Sequence, residues 1–169
     1  CMFGAAIAGT LSDRTGRKRF LLVSAVLFFV SAIGCALPQS LNQFLVFRFI
    51  GGLAIGSASI VSPLYISEIA PARIRGALVS INQMAIVTGI LIAYFVNWVL
   101  VGAGPSNWSW MFATGALPAI VFFILVLRIP ESPRWLMKQG RDAEALTVLG
   151  RVIYAMGGNP LTALSIVAF

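Results

Sequence analysis

The chain of 169 residues is 59% hydrophobic and only 10% charged, and it carries a formal net charge of +7 without any histidine. Such proportions exclude the polar exterior of a water-facing globular domain and indicate a polytopic, all-α membrane protein. In a soluble chain the positive charge would point to nucleic acid. Here it is gathered into three clusters, residues 13–19, 68–75 and 128–151, with only Arg48 outside them, and no nucleic-acid partner is expected.

Residues 1–11 supply about 16 Å of helix at 1.5 Å per residue, roughly half a bilayer core, and lack a leading methionine. The expected start is therefore internal to a longer protein, and no signal peptide is expected. Ser12 to Arg19 reads as a basic loop and Phe20 to Leu37 as the first complete span. Pro38 to Gln43 turns the chain, and Phe44 to Ile66, Ala77 to Val101 and Trp110 to Ile129 read as three more spans. The connections Pro38 to Gln43 and Gly102 to Asn107 hold no charge, so basic and uncharged loops alternate. The positive-inside rule then puts the basic loops in the cytoplasm, with Trp98, Trp108 and Trp110 as an aromatic belt at the outer turn. The expected location is the cell membrane.

Beyond Arg128 the chain becomes polar. Ala145, Leu146, Leu149, Ile153 and Met156 recur at helical spacing opposite Arg141, Asp142, Glu144 and Arg151, which predicts an amphipathic helix on the cytoplasmic surface. Gly157 to Pro160 break it, and Leu161 to Phe169 is too short to span. The expected division is 1–129 for the spans, 130–156 for a cytoplasmic helical segment and 157–169 for an unassigned, truncated tail.

Arg48 is the costliest residue, since an arginine at mid-span costs at least about 2.5 kcal/mol. Two readings stand. It faces a bundle interior with a partner, on the small-residue face of Gly52, Gly56, Ser59 and Pro63, or it snorkels to the outer surface. In the next span Gln83, Ile86, Ile90, Tyr94 and Asn97 form a stripe with uncharged hydrogen-bonding groups. That suits a neutral hydroxylated ligand, or simply bonding between helices. Gly52-x-x-x-Gly56 reads as close helix packing. Cys1 and Cys35 have neither metal nor disulfide spacing. No nucleophile motif, metal cluster or intramembrane acid is present, so neither enzymatic activity nor a metal or cofactor is expected.

Five motifs in order carry a resemblance. Gly9-Thr-Leu-Ser-Asp13-Arg14-x-Gly16-Arg17-Lys18 is similar to the loop between the second and third helices of major facilitator proteins. Arg48-x-x-Gly51-Gly52, Pro63-x-Tyr65-x-x-Glu68-x-x-Pro71-x-x-x-Arg75-Gly76, Gln83 with Gly89, and Pro130-Glu131-Ser132-Pro133-Arg134-Trp135-Leu136 resemble segments of the sugar porter family. The pattern is most similar to bacterial sugar-proton symporters of the xylose transporter type. The resemblance implies part of the N-terminal six-helix half of a twelve-helix transporter, with a monosaccharide held near the midplane and further helices supplied by the rest of the chain. It implies sugar contacts at Gln83, Ile86 and Ile90, and a proton-coupling role for Arg48 beside a first-helix acid. It also implies a cytoplasmic gate of Asp13, Arg17, Glu68, Arg75, Glu131 and Arg134.

Ser109 and Ile90 depart from the family pattern, which leaves the sugar open. Proton symport is the expected activity. The alternatives are a passive uniporter, a polyol or inositol carrier, and a sensor that binds sugar without moving it.

Overall fold

Within a bilayer core each backbone N–H and C=O must be satisfied inside its own segment, so apolar runs of this length become helices. The computed structural model describes residues 1–70, 74–102 and 107–155. Among these it contains eight helices: α1 (Met2–Thr15), α2 (Arg17–Ala36), α3 (Leu41–Ile69), α4 (Arg75–Leu100), α5 (Asn107–Thr114), α6 (Ala116–Arg128), α7 (Pro133–Lys138) and α8 (Asp142–Ala155). Four segments, α2, α3, α4 and α5 with α6, are long and apolar enough to cross a membrane. Pro71 and Arg73 of the junction motif, most of the expected outer turn, Met156 and the tail from 157 onward lie outside the described residues.

The expected basic loop at Ser12 to Arg19 proves to be a break of one residue. Helix α1 runs through Asp13 to Thr15, and α2 resumes at Arg17 after Gly16, whose φ of +95° suits a residue without a Cβ. The charges of the motif therefore sit on helix ends, where their directions are set. The last span, expected as continuous from Trp110 to Ile129, is divided at Gly115. Pro118 gives the cause, because its ring crowds the carbonyl of residue 114, where α5 ends. Helix α3 starts earlier than expected, at Leu41 under an Ser40 cap that accepts from the Gln43 N–H at 3.3 Å, and it continues through Pro63.

Small residues set the closest approaches. Along the α2–α3 contact, Ser24 and Ser57 share a hydrogen bond at 3.1 Å and the Ser31 hydroxyl donates to the Phe47 carbonyl at 2.8 Å. A Cβ at Gly34 would strike the Phe47 ring, and one at Gly4 of α1 would strike the Leu53 carbonyl of α3. Gly52 and Gly56, the expected packing pair, face Cys1, the residue just before α1. Ala8, Phe20, Leu21, Val61 and Val126 form the core where α1, α2, α3 and α6 meet. Helix α4 has no buried residue and touches mainly α3 and α5.

The amphipathic helix is present as α8, but its inward face is rotated from the expected one. Ala145 and Val148 pack on Trp135, Leu136 and Met137 of α7, whereas Leu146 is 40% exposed. The partner surface is a single short helix, so the seam is narrow and selects small residues instead of the longest apolar ones.

Candidate functional site

At the basic end of the bundle Arg17 forms the centre of a buried polar network. Its side chain is 8% exposed and that of Glu68 is 7% exposed. The guanidinium places Nε 3.2 and 3.1 Å from the two Glu68 oxygens and Nη2 2.9 Å from Oε1, a two-pronged pairing that suits the planar fork of arginine. Its Nη1 donates to the Ser12 carbonyl at 3.1 Å, and Nη2 lies 2.6 Å from Asp13 Oδ1. The Ser132 hydroxyl donates to Glu68 Oε2 while accepting from the Trp135 N–H at 3.4 Å, so one side chain both caps α7 and completes the shell of a buried carboxylate.

Glu131 acts on a neighbouring helix. Helix α2 has no side-chain cap of its own, and Glu131 Oε1 accepts from the Lys18 N–H in its first turn at 2.8 Å and from the Ser132 N–H at 3.2 Å. A carboxylate at that terminus is stabilised by the orphan amides and by the helix dipole. Three further ties close the end of the bundle. Trp135 Nε1 donates to the Asp13 carbonyl at 2.9 Å, Tyr65 OH to the Pro130 carbonyl at 2.7 Å, and Lys18 Nζ to the Leu127 carbonyl at 2.9 Å.

Of the six residues expected at a gate, the structure thus brings Asp13, Arg17 and Glu68 into direct contact and sets Glu131 beside them through Lys18 and Ser132. Arg75 and Arg134 stand apart. Arg75 reaches only the Ala70 carbonyl, at 3.5 Å, and its buried Nε has no partner among the described residues. Arg134 is exposed and makes no ion pair among them. Ser132, Tyr65 and Trp135 were not singled out as functional by the sequence. Serine directly before a proline at a helix start was a legible signal for the cap, but its bond to Glu68, 64 positions away, was not.

A cavity of about 490 Å³ lies between α2, α3, α4 and the α5–α6 break. Its lining is mainly apolar, with Ser59 and Ser62 from α3 and Asn82 from α4 as the uncharged polar groups, and the Ser62 hydroxyl donates to Asn82 Oδ1 at 3.3 Å. Ile86 is the one expected sugar-contact residue that lines it. Gln83 opens instead onto a separate groove with Ser80, Met84, Val87 and Thr88, and Ile90 is 53% exposed.

Arg48 is exposed, and its guanidinium lies 4.5 Å from the Phe112 ring centroid and 5.4 Å from that of Phe44. Two aromatic faces give the cation favourable company without a counter-ion, and no acid pairs with it among the described residues.

These features match known proteins. The family model for sugar (and other) transporters matches residues 1–163. The chain belongs to the sugar transporter family. It is 40% identical to the D-xylose-proton symporter of Escherichia coli (strain K12) over 95% of this chain and 37% of that protein. It is 44% identical to inositol transporter 4 of Arabidopsis thaliana over 88% of this chain and 25% of that one. The partially occluded inward open structure of the xylose transporter XylE from E. coli superposes with a TM-score of 0.88 at 38% identity, covering 98% of this chain and 42% of that one. This sugar transporter chain thus has the all-helical fold of a partial N-terminal half of a major facilitator transporter, and it spans about two fifths of the length of the xylose symporters it matches.

Proposed function

We propose that the intact protein carrying this sequence is a secondary transporter that moves a monosaccharide across the cell membrane by alternating access, coupled to proton symport. The observation that carries this reading is the 40% identity to a D-xylose-proton symporter across nearly the whole chain. The polar groups at membrane depth on α4 fit it. Asn82 and Gln83 are uncharged, and neutral donors and acceptors suit a hydroxylated, neutral ligand.

The basic end, with Arg14, Arg17, Lys18, Arg19, Arg128, Arg134 and Lys138, lies on the cytoplasmic side. Residues 1–129 form the membrane part and residues 130–156 a cytoplasmic helical segment. In the gate, the Arg17–Glu68 pair holds the ends of α1, α2 and α3 together. Arg75 and Arg134 make contacts with the rest of the protein when the cytoplasmic side closes, and contacts present in one state only bias the equilibrium toward it.

Uptake of labelled xylose into proteoliposomes tests the proposal. Accumulation driven by an inward proton gradient and collapsed by a protonophore is the expected result. Uptake that only equilibrates indicates a uniporter, and binding without uptake a sensor. The inositol transporter at 44% identity supports a polyol carrier as the second reading, marked by inositol outcompeting xylose.

Two predictions concern membrane depth. Gln83→Ala weakens sugar binding a few-fold to about tenfold, the loss of one hydrogen bond worth about 0.5–1.5 kcal/mol, with insertion and folding intact. An unchanged titration of the purified variant removes Gln83 from the site. Arg48→Leu damages proton-driven accumulation more than counterflow, in which sugar exchanges without net proton movement. A nearby cation lowers a carboxylate pKa by about 1–3 units, so losing it raises the pH at which the coupling acid releases its proton. Accumulation then fails first at acidic pH and recovers partly as pH rises. Parallel losses of both activities at every pH refute the coupling role and favour an arginine that only rests on Phe44 and Phe112.

A further inference from the structure

A second groove, of about 250 Å³, lies between α2 and α6, lined by Ala25, Val26, Phe29, Ala119, Ile120 and Phe123 with almost no polar surface. We infer that it holds one acyl chain of an anionic phospholipid whose headgroup is bound by Lys18, Arg19 and Arg128.

The placement of these cations follows from helix geometry. Seven residues make nearly two full turns, so Lys18 and Arg19 share a face with Ala25 and Val26 about 10 Å further along α2. On the other wall Ile120 precedes Leu127 by the same interval. The two walls are joined at the basic end by Lys18 Nζ, which donates to the Leu127 carbonyl at 2.9 Å and so brings Arg128 alongside. An ammonium has three donors, and that bond uses one. Arg19 and Arg128 are exposed and form no ion pair among the described residues. Glu131, the acid bonded to the Lys18 backbone, has its carboxylate turned to the N–H groups of Lys18 and Ser132.

Charge complementarity selects the occupant. A cationic end above a purely apolar channel fits an anionic headgroup over a chain, whereas a zwitterionic lipid presents its own cation to the three basic residues. Val23 and Val30 of α2 and Val121 and Ile124 of α6 are exposed apolar side chains on the same two helices, suited to a surface that meets lipid.

The test is native mass spectrometry of the purified intact protein with phosphatidylglycerol or phosphatidylcholine titrated in. One phosphatidylglycerol per protein is expected to be retained preferentially. Removing two basic residues near an anionic surface lowers affinity by roughly thirtyfold, so Arg19→Gln with Arg128→Gln should abolish that preference. Both side chains are exposed, which keeps folding out of the result. Ile120→Trp, 42% exposed in the wild type, should fill the channel and displace the lipid while leaving the cations in place. Inorganic phosphate competing as well as the lipid, with Ile120→Trp indifferent, would reassign the site to a free anion and overturn the acyl-chain part. Equal retention of both lipids, unchanged retention in the double arginine variant, or a second copy of the protein covering this face overturns the proposal.

Discussion

Replacing Arg17 with alanine is expected to destabilise the protein by about 3–5 kcal/mol, because it strands the Glu68 carboxylate in a buried position with the Ser132 hydroxyl as its remaining side-chain partner among the described residues. Thermal unfolding of the purified protein in detergent micelles measures the loss. Arg17→Lys restores the charge but not the fork, so its stability should fall between the two. Arg17→Gln combined with Glu68→Gln should lose less than the sum of the single changes, since both act on one pair. On the proposed gate role, Glu68→Gln alone should slow turnover while leaving intrinsic sugar affinity nearly unchanged, because Glu68 lies at the end of α3. Apparent affinity moves only as far as the binding-competent state changes population. If Arg17→Ala costs less than about 1 kcal/mol, the pair is not holding the helix ends.

Trp135→Ala is expected to have a similarly large but local effect, about 3–5 kcal/mol for truncating a large buried aromatic. Trp135 is 7% exposed, donates its indole N–H to Asp13, lies close to Gly16 and forms the small core that seats α8. Its loss should release α7 and α8 from the bundle while the spans stay folded, since few other contacts hold these short helices. Hydrogen exchange and limited proteolysis distinguish the outcomes: amides of residues 133–152 should lose protection in the variant and those of α2 and α3 should not. Trp135→Phe keeps most of the packing and removes one hydrogen bond, so about 1 kcal/mol is expected. Equal loss of protection in the spans would mean that α7 is part of the bundle's main cooperative unit.

The Arg17–Glu68 contact shows where reading from sequence stops. Both residues stood out as charges beside apolar runs, and the family resemblance grouped them with Asp13, Arg75, Glu131 and Arg134. Distance in the fold separated that group. Asp13 lies one helical turn before Arg17 across the Gly16 break and therefore reaches the same guanidinium, while Glu131 turns to the Lys18 amide because α2 lacks a cap of its own. Arg75 and Arg134 share the motifs without sharing the network. The same limit appears on α4, where helical spacing put Gln83, Ile86 and Ile90 on one stripe. Ile86 lies about 60° from the direction of Gln83 at 100° per residue, enough for it to enter the α3–α4 cavity while Gln83 opens on another groove.

By itself the sequence determined the all-helical membrane class, four spans, the alternation of basic and uncharged connections and the identity of the charged motifs. Each is a property of local composition: apolar length decides whether a segment can cross a bilayer, and charge position decides which ends stay in water. The tertiary structure alone decided that Ser132 and Arg17 would share Glu68, that Glu131 would cap α2, that Phe44 and Phe112 would flank Arg48, and that Leu146, expected on the inward face beside Ala145, would stay exposed. Those outcomes depend on the angle and depth at which separate helices pack. That geometry is set by contacts such as Gly4 on Leu53 and Gly34 under Phe47, which join residues on different helices.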